Sequence, residues 1–228
     1  MAIKLVFPTV TVAKSYLNKE IDFKKGMTAE YFDMCRKEID AMRARDPQGR
    51  RRSNAGHGWQ SNDGIDDNPI FNKLMREIKR VVAHELMPYL GAVPGTAECK
   101  MHNSWANINY THGWNAPHLH NGCFYSGVFF IHADGDEGDF RAIDTDHKIV
   151  SNFPASQQRI WESWPVAPKT GDLYLFPSGL MHMVEPNLTD KDRYSISFNG
   201  AVSGGVERVN IKNPELEFEI DENGDLIY

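Results

Sequence analysis

Hydrophobic positions recur at helical spacing in two early segments and alternate at strand spacing through most of the rest of the chain. Thr28 precedes a stripe formed by Tyr31, Cys35, Ile39 and Met42, so the pattern predicts a capped amphipathic helix there. Asn68 followed by Pro69 is a cap and first-turn pair. Behind it Phe71, Leu74, Ile78, Val81 and Leu86 mark a second helix that stops near Pro88. Both stripes read as surfaces that cover a sheet. Residues 2–12 alternate weakly and suit a strand near an edge.

From about Glu98 the pattern changes. Short runs rich in aromatic and β-branched residues are separated by Gly, Asn, Asp and Pro. The predicted strands are Cys99–Tyr110, Tyr125–His132, Asp172–Phe176, His182–Glu185, Arg193–Phe198, Arg208–Ile211 and Leu216–Ile220. Ala133–Asp139 reads as a turn between strands, without the ligand spacing of a calcium loop. Many strands with no helices between them predict a mainly β, α+β protein built as an antiparallel sandwich or barrel. No repeat or linker divides it. One domain over 1–228 is expected, with 1–95 as N-terminal strand and supporting helices and 96–228 as the β core and C-terminal strands.

Composition narrows the function. A hydrophobic share of 41% and a charged share of 25% in 228 residues are globular values. The net charge of −6 argues against a nucleic-acid binder. The basic run Arg50, Arg51, Arg52 reads as a solvated loop that an acidic substrate would also suit. No apolar stretch approaches the ~20 residues of a membrane span, and Pro8 interrupts the N-terminus before a signal peptide can form. Cys35, Cys99 and Cys123 are an odd set at irregular spacing, so a reducing, cytoplasmic setting is expected.

Of nine histidines, His118 and His120 stand apart. Two residues apart on an extended strand they project to the same side, so both imidazoles reach one metal. Imidazole suits iron, zinc, copper and nickel alike. Gly171 to His182 then reads as a strand, a Pro177–Gly179 turn and a histidine opening the next strand. Eleven residues on, Arg193, Ser195, Ser197 and Asn199 share one strand face, opposite Tyr194, Ile196 and Phe198. An arginine inside a barrel needs an anion, and its planar fork fits a carboxylate. Trp105, Asn107 and Asn109 likewise share one face and suit a cavity wall.

These residues resemble the 2-oxoglutarate/iron(II) dioxygenases: His118-x-His120, the aromatic strand from Tyr125, His182, then Arg193-x-Ser195. More narrowly, Trp59-Gln60-Ser61, Asn103-Ser104-Trp105, Ser126-Gly127-Val128 and Phe176-Pro177-Ser178 resemble a group of uncharacterised oxygenases distantly related to prolyl hydroxylases. The likeness runs over about residues 55–200. It implies a double-stranded β-helix, or jelly roll, with the N-terminal helices packed on one sheet. It implies iron(II) on His118, His120 and His182, with 2-oxoglutarate anchored by Arg193 and Ser195 and touched by Asn107 and Ser126. It implies oxidative decarboxylation to succinate and CO2 coupled to hydroxylation of a small-molecule or peptidyl substrate. The chain departs from the family at His120, where an acid is usual. Asp139, Asp144 and Asp146 are the alternative third ligands.

Two other readings remain. A cupin-type metalloenzyme would use the same histidines, but lacks its glutamate after His120 and gives Arg193 no role. A jelly-roll binding module would carry its histidines incidentally. The prime substrate and oligomeric state, a homo-oligomer included, stay open.

Overall fold

The computed structural model describes residues 4–5, 12–15, 27–87, 97–143 and 163–204. Helix α1 (Ala29–Arg45) begins where the Thr28 hydroxyl accepts the Tyr31 amide. Its buried side chains are Tyr31, Phe32, Cys35 and Ile39. The Asn68 side chain accepts the Ile70 amide and opens a 3-10 turn, Pro69–Phe71, before α2 (Asn72–Val81). A π-helical stretch, Val82–Leu86, continues it. Tyr31 ties the helical layer together by donating its hydroxyl to the Ile70 carbonyl and accepting the Leu74 amide. No helix among the described residues is long and apolar enough to cross a membrane.

Among the described residues twelve strands follow one another: β1 (Lys4–Leu5), β2 (Val12–Ser15), β3 (Asn54–Ala55), β4 (Gly58–Gln60), β5 (Ala97–Asn109) and β6 (Trp114–His118), then β7 (Tyr125–His132), β8 (Phe140–Ile143), β9 (Ser163–Val166), β10 (Asp172–Pro177), β11 (His182–Val184) and β12 (Arg193–Gly204). They form two antiparallel sheets, ordered β1-β2-β10-β7-β12-β5-β4 and β3-β6-β11-β8-β9. This is the jelly roll. The expected strands at 208–211 and 216–220 lie outside the described residues.

Alternation sorts each central strand between two apolar layers. Phe129 and Ile131 of β7, Tyr194, Ile196 and Phe198 of β12, and Ala106 and Ile108 of β5 pack with the helices on one face of the large sheet. Val128 and Phe130, with Phe140, Tyr174 and Phe176, fill part of the space between the sheets. The rest of that inner face is polar: Asn107 and Asn109 on β5 stand beside Arg193 and Ser195 on β12. Burying this many polar groups costs stability unless they are partnered. That makes the inner face the place to look for chemistry.

Candidate metal centre and co-substrate cavity

β6 and β11 bring the histidines together. His118 and His182 are direct partners across the antiparallel pair, with ring centroids 4.2 Å apart. β6 ends at His118, so His120 lies just past the strand rather than on it. Its amide still donates to the Ser178 carbonyl at 2.9 Å, which keeps the chain extended and the ring on the same side. The His120 ring is 5.0 Å from His118 and 5.1 Å from His182. One ligand nitrogen from each of the three lies within 4.8 Å of the others, a spacing that fits a single metal ion.

Two of the rings are oriented by the backbone. His118 Nδ1 donates to the Ala116 carbonyl at 2.7 Å, and His182 Nδ1 to the Leu180 carbonyl at 2.9 Å. A carbonyl only accepts, so each Nδ1 carries its proton and Nε2 keeps its lone pair for a metal. Phe140 and Phe176 wall in His182, at 5.5 and 4.6 Å between centroids. Burial lowers the pKa of all three: His118 below its usual value, His120 to about 4 with His118 adding to the effect, and His182 well below. The centre is neutral at pH 7.

The same cavity runs from the histidines to Arg193. It is lined by all three rings, by Trp105, Asn107, Asn109 and Asn115, and by Arg193, Ser195 and Ser197. Arg193 is 1% exposed. One guanidinium nitrogen, Nη1, donates to the Glu137 and Gly138 carbonyls at 2.6 and 2.8 Å. The other, Nη2, has no hydrogen-bond partner among the described residues, and nor has Asn107 Oδ1. No carboxylate pairs with Arg193 among the described residues, and burial pushes its pKa down to about 10. A buried cation with a free donor facing a cavity fits an incoming anion.

The β7–β8 loop holds that arginine in place. Glu137 is fully buried, and its carboxylate accepts the amides of Asp134 and Gly135 at 2.9–3.1 Å. This folds the loop so that its carbonyls face Arg193. Gly138 sits at φ +94°, and a Cβ there would lie 2.6 Å from the Glu185 carbonyl oxygen. Asp134, Asp136 and Glu137 also cluster, but Lys191 Nζ bridges the two aspartates at 2.8 and 3.6 Å, so a side-chain cation neutralises them.

Residues 103–199 match the model of a family described as "Putative 2OG-Fe(II) oxygenase". Over this stretch the chain is similar to the 2-oxoglutarate/iron(II) oxygenases. No curated protein matches the chain in sequence. Solved structures share the oxygenase fold at low identity. A prolyl-4-hydroxylase from Pseudomonas putida superimposes with TM-score 0.55 and 14% identity, over 85% of this chain and 93% of its own. HygX from Streptomyces hygroscopicus, solved with nickel, 2-oxoglutarate and hygromycin B, gives TM-score 0.53 and 13% identity, over 85% and 83%. SnoN, a non-haem α-ketoglutarate-dependent epimerase from nogalamycin biosynthesis, gives 0.59 and 15%, over 96% and 91%.

Most site residues expected of the oxygenase meet at this cavity. Ser126 does not. It is fully buried off the wall, where its hydroxyl donates to Asn199 Oδ1 at 2.7 Å. The Asn199 amide passes the link to Asn103 at 2.9 Å, so Ser126 supports a neighbouring side chain. Asp139 is absent from the ligand group, and its amide donates to Glu185. Asp144 and Asp146 lie outside the described residues. Asn115 and Ser53 are further wall residues with no signal in the sequence, because β6 is too short to show a period and Ser53 lies in the loop before β3.

Proposed function

We propose that His118, His120 and His182 hold iron(II) and that Arg193 anchors the far carboxylate of 2-oxoglutarate in the cavity behind them. The observation that carries this reading is the unpartnered Nη2 of a fully buried arginine, on the same cavity as three convergent imidazoles. Ser195 lines the wall beside Arg193 and supplies a hydroxyl, and Asn107 presents an amide held by Ser197 at 3.1 Å. When bound, iron(II) with 2-oxoglutarate supplies dioxygen activation, with the co-substrate ending as succinate and CO2 and the prime substrate hydroxylated. The chain's part is to bind, orient and exclude water. The backbone-held His118 and His182 rings keep metal-facing nitrogens deprotonated, and the Phe140–Phe176 wall keeps solvent from them.

A cupin-type centre without 2-oxoglutarate would leave the Arg193 donor with nothing to bind, so the oxygenase reading is preferred. The test is direct. Purified protein given iron(II), 2-oxoglutarate and air is expected to form succinate slowly even without prime substrate. Iron binding with no succinate and no measurable 2-oxoglutarate affinity would overturn the reading.

A further inference from the structure

Arg50, Arg51 and Arg52 are adjacent in sequence, yet the fold separates their roles. The Arg50 side chain donates to Asn62 Oδ1 at 2.7 Å and Asp63 Oδ2 at 3.0 Å, so its charge is compensated. Arg51 turns to the Gly56 carbonyl. Arg52 has no side-chain partner among the described residues, although its amide is fixed by Asn54 Oδ1 at 2.7 Å. Asn54 is buried and also donates to the Arg50 carbonyl at 3.0 Å, so one side chain clamps the arginine loop at both ends.

That loop is bound to the strand of His118. Asn54 pairs with Asn115, and the Ala116 amide donates to the Ser53 carbonyl at 2.8 Å. Continuing this antiparallel register sets Arg52 beside Pro117, the residue before His118. A second cleft opens here on the outer side of the histidines. It shares Ser53, Trp105, His118 and His120 with the inner cavity, so the same two rings face both spaces. Its other ionisable side chains are Arg50 and Arg52 against Asp63 alone. The cleft wall is therefore positive in a chain whose net charge is −6. A local positive wall in a negative protein draws and orients anions selectively. The free Arg52 fork matches a carboxylate or a phosphate in two parallel bonds.

We infer that the prime substrate carries an oxyanion, carboxylate or phosphate, which Arg52 binds in the outer cleft while the carbon to be oxidised lies over His118 and His120. This rests on the reading of the histidines as iron ligands and of the inner cavity as the co-substrate seat. Trp105 and Leu119 offer apolar contact between the anion and the reacting carbon. Arg50, already tied to Asp63, shapes the rim and adds field without competing for the ligand.

Anaerobic calorimetric titration of protein loaded with iron(II) and 2-oxoglutarate tests this with three probes: phenyl phosphate, benzoate and benzamide. Filling the inner cavity first keeps the probes from Arg193. Phenyl phosphate or benzoate is expected to bind at least about tenfold more tightly than neutral benzamide, and the tighter of the two anions identifies the oxyanion. That preference is expected to vanish in Arg52→Gln and to persist in Arg51→Gln, with circular dichroism checking that both variants are folded. Benzamide binding as well as benzoate, an Arg52→Gln variant that keeps the preference, or no anion binding at all would overturn the inference. If iron or 2-oxoglutarate fails to load, it is the reading of the metal site that falls. The anion preference of Arg52 is then decided by the same titration on metal-free Arg193→Ala protein, in which the inner cavity has no cation to bind the probes, with and without Arg52→Gln.

Discussion

His118 and His182 face each other across one antiparallel pair, so the register of β6 against β11 sets the distance between two of the three imidazoles. A slip of one residue would turn one ring to the opposite face. The convergence of the histidines therefore depends on main-chain pairing as much as on their presence in the sequence.

Acid is expected to act on this centre in two separate windows. Folded-state pKa values below the usual 6.5 mean that the unfolded chain takes up protons first. Stability of metal-free protein is then fully present above pH 6.5 and declines as pH falls toward the folded value, about 4 for His120. Iron affinity follows the folded values instead, because protons compete only with rings in the folded site. Denaturant unfolding of metal-free protein and metal titration at matched pH are expected to show stability falling first and affinity holding until lower pH. Affinity that halves near pH 6.5 would contradict the burial of these rings.

Arg193→Ala is expected to weaken 2-oxoglutarate binding by about 2–5 kcal/mol, the range for losing one partner of a buried charge pair. Iron loading, measured separately, is expected to persist. Arg193→Lys should fall between, since an ammonium supplies charge without the fork. Calorimetry on the three proteins checks the order, and equal affinity in all three would move the anchor elsewhere.

Much of this was legible in the sequence, for reasons particular elements make plain. Tyr125–His132 carries strong strand formers along its whole length, and its predicted limits match the structure. The Arg193, Ser195, Ser197 face was readable because alternation with Tyr194, Ile196 and Phe198 is unbroken. β12 runs on to Gly204, past the predicted Phe198, because pairing with β5 carries weak strand formers such as Gly200 and Ser203. β6, β8 and β9 were missed. Each has at most five residues, two contain a proline, and tertiary pairing rather than local preference forms them. The support beneath Arg193 was invisible for a different reason. It consists of the Glu137 and Gly138 carbonyls, and a carbonyl leaves no trace in residue type.

Gly138→Ala tests that support. A Cβ would meet the Glu185 and Pro186 carbonyl oxygens at 2.6 and 2.8 Å on a backbone already at φ +94°. The loop must shift, and stability is expected to fall by more than about 1 kcal/mol. Because the displaced carbonyls hold Arg193 Nη1, 2-oxoglutarate affinity is expected to drop while the histidine spacing is untouched. Chemical denaturation and co-substrate titration read the two effects, and a variant with normal 2-oxoglutarate affinity would remove the loop from the account.

His120 is the residue at which this chain departs from the usual oxygenase pattern, and its substitutions separate ligand from bystander. His120→Ala is expected to lower iron occupancy and succinate formation together, whereas His120→Asp retains metal because a carboxylate at that position reaches the same ion. Metal analysis after dialysis checks both. Full occupancy in His120→Ala would assign the third position to another group.

The central claim, one site holding iron on three histidines and 2-oxoglutarate on Arg193, is tested most directly by anaerobic titration followed in the visible range. Iron(II) is added first, then 2-oxoglutarate. A weak charge-transfer band that saturates with one 2-oxoglutarate per iron, disappears in His120→Ala and needs at least about tenfold more co-substrate in Arg193→Ala is the predicted result. Iron that binds tightly while 2-oxoglutarate produces no band and no heat at any concentration would contradict it.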